Sequence, residues 1–441
     1  MSCIVAKFGG SSLASSEQFK KVKDIILQDK GRSFIVVSAP GKRSADDNKI
    51  TDLLLSCFYL HAEGKNFTKP FLKICERFIS IRDELQLKLD IEGELEQIRI
   101  SIENGASSMH VASRGEYLCG LLLSEYLSYE FIDPSSLIFF SDEGIFDAER
   151  SNRVLAEKLS TMHNAVMPGF YGAMENGEIC TFSRGGSDIS GAVMARALCA
   201  NVYENWTDVS GFLMANPNIV SDPLEIKSLS YEELRELKYM EAGVLHEDAI
   251  YPVQKAGLPT NIRNTNMPCH PGTLIVNDDG EIPLKKSVIT GIAGKTGFDI
   301  LRIDKPMSSA GPGIAMRLLQ AFCENDIRIE QIVSSVAQIS VVLSSDVLAD
   351  PELKEALYVR INELVQPRTI NLEQNVALLA VVGRAMRYSP DCNSRIFSAL
   401  YKENIDVRGI LQNNSRISTI LAIASSDLNN AINAVYKEFV H

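Results

Sequence analysis

Over residues 1–284 the chain alternates short apolar runs with longer stretches in which apolar residues recur every three or four positions. The short runs predict strands at Cys3–Phe8, Ser33–Ser38, Ser108–Ala112, Leu137–Phe140, Ala165–Met167 and Ala200–Glu204. Helix-like stretches lie between them at Ser16–Asp29, Ile50–Ala62, Phe71–Asp90, Glu116–Tyr129, Asn152–Thr161 and Asp188–Leu198. Strand–helix alternation requires crossover connections, so the pattern predicts an α/β fold with a largely parallel sheet sandwiched by helices. Ligands of such sheets sit beyond the carboxyl ends of the strands, so the strand-to-helix loops are where chemistry should lie.

From Lys285 onward strands come closer together and the sequence repeats weakly. One unit runs through Gly311-Pro312-Gly313-Ile314, a helix-like Ala315–Glu324, Asn325-Asp326-Ile327 and a strand-like Ala337–Ser344. A second runs through Gly383-Arg384-Ala385, Ser394–Glu403, Asn404-Ile405-Asp406 and Ser418–Ala424. Repetition of this kind predicts two α+β modules of ferredoxin-like βαββαβ order, at 299–370 and 371–441, with 286–298 free to pair with the second. The boundary between the first domain, 1–284, and this region, 285–441, is expected in the polar turn Asp278–Lys286.

Composition narrows the function classes. The 441 residues suffice for two or three domains of about 150 residues each. A net charge of −12 argues against a nucleic-acid or anionic-membrane partner, and leaves any anionic substrate dependent on local cations. No run approaches the roughly 18 apolar residues of a membrane span, and the N-terminal stretch lacks the pattern of a secretory leader. The nine cysteines are scattered without a Cys-x-x-Cys pair, and no two histidines have metal-ligand spacing. Reduced thiols in the cytoplasm, without structural zinc or a disulfide framework, are expected.

Two loops carry the strongest chemical signal. Lys7-Phe8-Gly9-Gly10-Ser11-Ser12 follows the first strand, where paired glycines let backbone N–H groups approach a phosphate and Lys7 adds a mobile cation. Taken alone it is equally a tight strand–helix connection, and it is not a Walker loop. Ser183-Arg184-Gly185-Gly186-Ser187-Asp188 opens a later helix with a guanidinium suited to a planar carboxylate and an acid that could instead cap its helix. Two such loops, each with one cation, point to phosphoryl transfer. Ser113-Arg114-Gly115-Glu116, read as a helix start, offers Glu116 to an ammonium group. Met167-Pro168-Gly169-Phe170-Tyr171-Gly172 can wall a small pocket. Thr207 and Asp208, after the single tryptophan Trp206, can bond a purine or ribose.

In order along the chain, Lys7-Phe8-Gly9-Gly10-Ser11-Ser12, Ile50-Thr51-Asp52-Leu53-Leu54, Ser113-Arg114-Gly115-Glu116, Gly169-Phe170-Tyr171-Gly172, Arg184-Gly185-Gly186-Ser187-Asp188 and Trp206-Thr207-Asp208-Val209 resemble the motif series of the aspartate kinases, within the amino-acid kinase family. The tail resembles the paired ACT domains that follow that catalytic domain. The resemblance implies MgATP-dependent phosphorylation of the side-chain carboxylate of L-aspartate, giving 4-phospho-L-aspartate, the first step towards lysine, threonine and methionine. It places Lys7 against the transferring phosphoryl group, with Asp188 orienting it. Glu116 would take the substrate ammonium and Arg184 its α-carboxylate, with Thr51, Phe170 and Ser187 completing the pocket. Lys7, Gly9, Gly10, Ser11, Thr207 and Asp208 would hold ATP, which carries Mg2+.

The resemblance further implies a homodimer or homotetramer built through the ACT domains. An end-product amino acid would inhibit, with lysine expected and threonine the alternative. Effector contacts would come from Met307, Ser309, Gly313, Ile314, Glu330 and Ser335. The sequence departs from the family pattern at Asn216, Asn218 and Gly243, which replace an acidic residue and two cations near the nucleotide phosphates. Lys42, Arg43 or Lys255 could substitute. A catalytically silent amino-acid sensor and a related small-molecule kinase acting on glutamate, N-acetylglutamate or a nucleoside monophosphate are the competing readings.

Overall fold

A computed structural model describes residues 3–183, 185–240, 247–277, 288–305, 313–412 and 415–440. The chain forms two compact units. The first comprises Met1–Phe212, Glu225–Glu232 and Gly243–Asp279, and the second comprises Leu213–Leu224, Glu233–Ala242 and Gly280–His441. Two short stretches from within 1–284 thus pack with the C-terminal region, and one cut in the sequence does not separate the units. The expected boundary turn, at 278–286, lies outside the described residues.

The first unit is built on an eight-stranded sheet. Its spatial order is Ser228–Ser230, Thr273–Val276, Thr260–Asn264, Val202–Thr207, Ile4–Phe8, Arg32–Val37, Ala165–Pro168 and Glu130–Phe131. Neighbours run parallel except Thr260–Asn264 against Thr273–Val276. The adjacent interior strands Ile4–Phe8 and Arg32–Val37 are buried along nearly their whole length, as an all-apolar run such as Ile4-Val5-Ala6 requires when both faces are covered. Phe8, Phe19, Leu54, Phe78, Leu118 and Trp206 belong to one contiguous core beneath helices.

Most predicted elements stand within a few residues of their places, with two corrections. Ser108–Ala112 is not a strand but the opening of the helix Ser108–Leu127, so Ser113-Arg114-Gly115-Glu116 lies inside a helix rather than at its start. Ser107 caps it by accepting the N–H of His110 at 3.2 Å, and buried Val111, Leu118 and Leu122 continue a helical spacing that a five-residue window misses. The stretch read as Phe71–Asp90 is a helix at Thr68–Glu84 followed by a separate one at Ile91–Glu103, which Asp90 caps through the N–H of Gly93 at 3.0 Å.

The second unit holds a six-stranded antiparallel sheet in the order Gln331–Ser334, Gln338–Ser344, Gly291–Asp304, Ile370–Val382, Ser418–Ala424 and Gly409–Leu411. The central pair is shared. Phe298–Asp304 meets Gln338–Ser344, whereas Gly291–Lys295 lies on the part of Ile370–Val382 that meets Ser418–Ala424. The ladder shifts register where the halves join, beside Gly297 at φ 87° and Asn375 at φ 60°. Helices Ile314–Glu324 and Pro351–Val365 accompany one half, Cys392–Lys402 and Leu428–Val440 the other.

The repeat is visible in the helix ends. Asp326 and Asn404 are both left-handed, and Ile327 N–H to Phe322 C=O and Ile405 N–H to Leu400 C=O close each helix identically. Asp326, not Asn325, is therefore the partner of Asn404. All nine thiols are free. Among the described residues no helix is long and apolar enough to cross a membrane.

Candidate active site

The carboxyl ends of Ile4–Phe8 and Val202–Thr207 lie side by side, pairing Lys7 with Asn205 and Phe8 with Trp206. The Gly9 N–H donates to Trp206 C=O at 2.9 Å, fixing the glycine turn against the strand that leads to Thr207 and Asp208. Gly9 thus has its own N–H engaged, and Gly10 and Ser11 open the short 3₁₀ turn Gly10–Leu13. A Cβ placed on Gly10 would come within 2.8 Å of Ala39 O, so only glycine allows the turn to close on the loop at 39–41, where Gly41 N–H reaches Gly10 C=O at 2.8 Å. Trp206 is itself clamped: its indole N–H donates to Glu204 at 2.9 Å, and Arg32 and Arg263 both pair with that buried carboxylate.

The two glycine-paired turns meet. Lys7 Nζ lies 2.6 Å from Asp188 Oδ1, with both residues 7% exposed. A Cβ at Gly9 would sit 3.5 Å from Lys7 Nζ, which places the ammonium directly over the first glycine turn. Asp188 stands in the first turn of the helix Gly186–Ala197, which follows Gly185 at φ 78°. Phe170 is held at φ 79° with its N–H donated to Ser190 Oγ at 3.0 Å. Gly169 and Gly186 interlock there: a Cβ on either would clash with Ser187 or with the Phe170 ring respectively. Phe170, Ser187, Asp188 and Lys7 are thereby brought to one place.

Glu116 reaches the same region from the long helix. Gly115 packs where a Cβ would lie 2.8 Å from Ala39 Cβ and 3.1 Å from Ile50, the residue before Thr51 at the start of Ile50–Ala62, and Glu116 bonds the backbone of Ala39. Glu116 is buried, and its Oε2 has no hydrogen-bond partner among the described residues. Burial pushes its carboxyl up to about 8, against a backbone N–H from Ala39 and the charges of Arg114 and Lys7. A buried acid with an orphaned oxygen near a lysine is a site awaiting a cation.

Thr207 Oγ1 bonds Asp208 Oδ1 at 3.1 Å just past the strand end. Arg184 lies outside the described residues, as do Met307, Ser309 and Gly243. In the second unit Gly313, at φ 107°, caps the helix that Ile314 begins, Glu330 faces Arg328, and Ser335 turns the hairpin between Gln331–Ser334 and Gln338–Ser344. Asn216 and Asn218 form a turn through the Asn218 N–H to Asn216 Oδ1, in a stretch that packs with that unit. Sequence reading passed over Asn205, which donates to Asp188 Oδ1 at 2.9 Å. A polar residue inside the buried run Tyr203–Trp206 was the available signal.

Comparison with known proteins identifies the family and the fold. Residues 2–264 match the amino acid kinase family and residues 379–439 match the ACT domain. Aspartokinase 3 of Bacillus subtilis is 33% identical over 457 residues, spanning 99% of this chain and 98% of its own. The crystal structure of the Clostridium acetobutylicum aspartate kinase superposes with a TM-score of 0.91 at 44% identity, covering 100% of both chains. Aspartokinase III of E. coli in complex with aspartate and ADP shares the fold, with a TM-score of 0.76 at 22% identity over 100% of both chains. With its glycine turns joined by a lysine–aspartate pair and an ACT domain later in the sequence, the chain belongs to the amino acid kinase family as an aspartate kinase.

Proposed function

We propose that the chain transfers the γ-phosphoryl group of ATP to the side-chain carboxylate of L-aspartate, as the opening step of lysine, threonine and methionine formation in the cytoplasm. The observation that carries this reading is the buried Lys7–Asp188 pair set over the Gly9-Gly10 turn. The attacking carboxylate is already ionised at neutral pH, so no general base is needed. What remains is alignment and screening of charge on the moving group. Lys7 supplies a cation that can follow that charge, and the N–H groups of Gly10 and Ser11, at the start of a 3₁₀ turn, supply fixed donors. Magnesium, carried by the nucleotide, adds charge neutralisation.

Glu116 receives the substrate ammonium at its unpartnered oxygen, and Arg184 holds the α-carboxylate through a charge-assisted bond worth roughly 1.5–3 kcal/mol. Thr51, Phe170 and Ser187 wall the pocket; Thr207 and Asp208 face the nucleoside. Of the cations that could replace those absent from the nucleotide side, Arg43 is paired with Asp47 and Lys255 with Glu149. Lys42 donates to the carbonyl of Ala45 and follows Gly41, which touches the glycine turn. Lys42 is therefore our choice for the nucleotide phosphates. Lysine is the proposed inhibitor, acting on the first ACT module of a homodimer or homotetramer through Met307, Ser309, Gly313, Ile314, Glu330 and Ser335.

Trapping the acyl phosphate with hydroxylamine, alongside ADP release, tests the reading. Hydroxamate should form with aspartate and ATP and not with glutamate or N-acetylglutamate. Product from glutamate alone would reassign the substrate. Effector binding with no ADP release for any acid would make the chain a sensor.

A further inference from the structure

Asn205 lies opposite Lys7 in the parallel ladder and is 1% exposed. Its Nδ2 donates to Asp188 Oδ1 at 2.9 Å, and its Oδ1 accepts from Lys7 Nζ at 3.5 Å. Lys7 Nζ is 2.6 Å from the same Asp188 oxygen. An amide buried in the middle of a strand is tolerated only when its polar ends find partners. Here both ends go to the two charged groups of the site rather than to the surrounding core.

We propose that Asn205 is a positioning residue of the phosphoryl-transfer centre, holding the Asp188 carboxylate in place while the Lys7 ammonium turns toward the transferring group. The proposal rests on the role given to Lys7 above. An ammonium has three N–H donors. Among the described residues Asp188 and Asn205 take two of them, and the Gly9 turn lies against the same nitrogen, where a Cβ would approach Nζ to 3.5 Å. When a phosphoryl group draws Lys7 toward that side, Asp188 loses its nearest positive partner inside a buried site. The second donor on the same oxygen keeps the carboxylate bonded and oriented. With an aliphatic side chain at 205, Lys7 and Asp188 would form an exclusive ion pair with which a phosphoryl group competes poorly. Turnover would then fall without loss of aspartate binding, because Glu116 and Arg184 are untouched.

Asn205→Leu, which keeps the volume and removes both polar ends, should lower kcat about 30-fold while the aspartate KM stays within threefold. Asn205→Asp, isosteric but with an oxygen facing Asp188, should lower kcat at least as far. Both are measured in the full-length chain beside Lys7→Ala, with ADP-binding stoichiometry by calorimetry to count folded sites. Full stoichiometry with depressed kcat is the result expected. Wild-type kcat per site in the Asn205 variants, with Lys7→Ala inactive, overturns the role of Asn205 and leaves that of Lys7 standing. A kcat loss that merely follows lost binding sites, or an aspartate KM that rises in step, also overturns it. If Asn205→Leu fails to fold, the isosteric Asn205→Asp carries the same comparison. Retention of activity by Lys7→Ala would instead overturn the reading beneath.

Discussion

Lys7 and Glu116 make opposite demands on a buried site, and each yields a separate test. Lys7→Ala removes the cation over the glycine turn and should reduce kcat by about 10²–10³-fold, with aspartate affinity changed only a few-fold in calorimetry. Glu116 couples the site to pH. Its folded carboxyl is raised from an ordinary value of 4.5 to about 8, so the neutral acid is the form that stabilises the fold. That contribution is complete below the unfolded value near 4.5 and is lost as pH rises through about 8. Glu116→Gln cannot ionise; by differential scanning calorimetry it should melt with the parent near pH 5 and above it near pH 9. A substrate ammonium needs the ionised acid, so aspartate binding should tighten from about pH 6 to about pH 8.5, and the glutamine variant should bind weakly with no such slope. The meeting of the two glycine turns through Lys7 and Asp188 was legible only from the pair of loops taken together, since either alone reads equally well as an ordinary strand–helix connection. Asn205 was not, since its significance comes from a strand register that pairs it with a residue 198 positions away.

Glycine also explains how helices approach the site closely enough to deliver these side chains. Gly115 sits inside a helix, where glycine is unfavourable by about 1 kcal/mol relative to alanine, yet any Cβ there would strike Ala39 and Ile50. Gly115→Val should destabilise the chain by about 1–3 kcal/mol in chemical denaturation and weaken aspartate binding, because Glu116 shifts with its helix. The strand Val202–Thr207 is secured differently, by Arg32 and Arg263 converging on Glu204 beneath the Trp206 ring. Glu204→Ala leaves two guanidinium groups without their carboxylate and should remove about 3–5 kcal/mol. Periodicity located the helices well, and it failed at Ser108–Ala112. That stretch is too short for a helical period to separate from strand alternation, and the evidence lay in the apolar residues a full turn and more beyond it. The charge cluster left no sequence trace, because Arg32, Glu204 and Arg263 come together only through strand order.

At the scale of the whole molecule, a kinase unit and a unit of two ACT modules belong to one chain, and the regulation proposed for it needs both. Lysine titrated into the aspartate assay should depress activity, since an inhibitor with about 1–3 kcal/mol of preference for one state shifts flux appreciably. A flat lysine curve with a falling threonine curve would reassign the effector. The repeat was readable from two helix ends and their returning strands, and 286–298 as free to pair with the second module, whereas the continuation of that stretch as one strand, Gly291–Asp304, through both halves was not. Gly291–Lys295 precedes both modules in sequence and yet completes the half-sheet of the second, against Leu378–Val382, whose five side chains are fully buried. A fragment begun at 371 would therefore carry a raw hydrophobic flank where its outermost rail has been torn away, and such flanks recruit copies of themselves. Anyone transplanting this sensor into another enzyme has to lift it upstream of Gly291, taking both modules as a single dovetailed cassette.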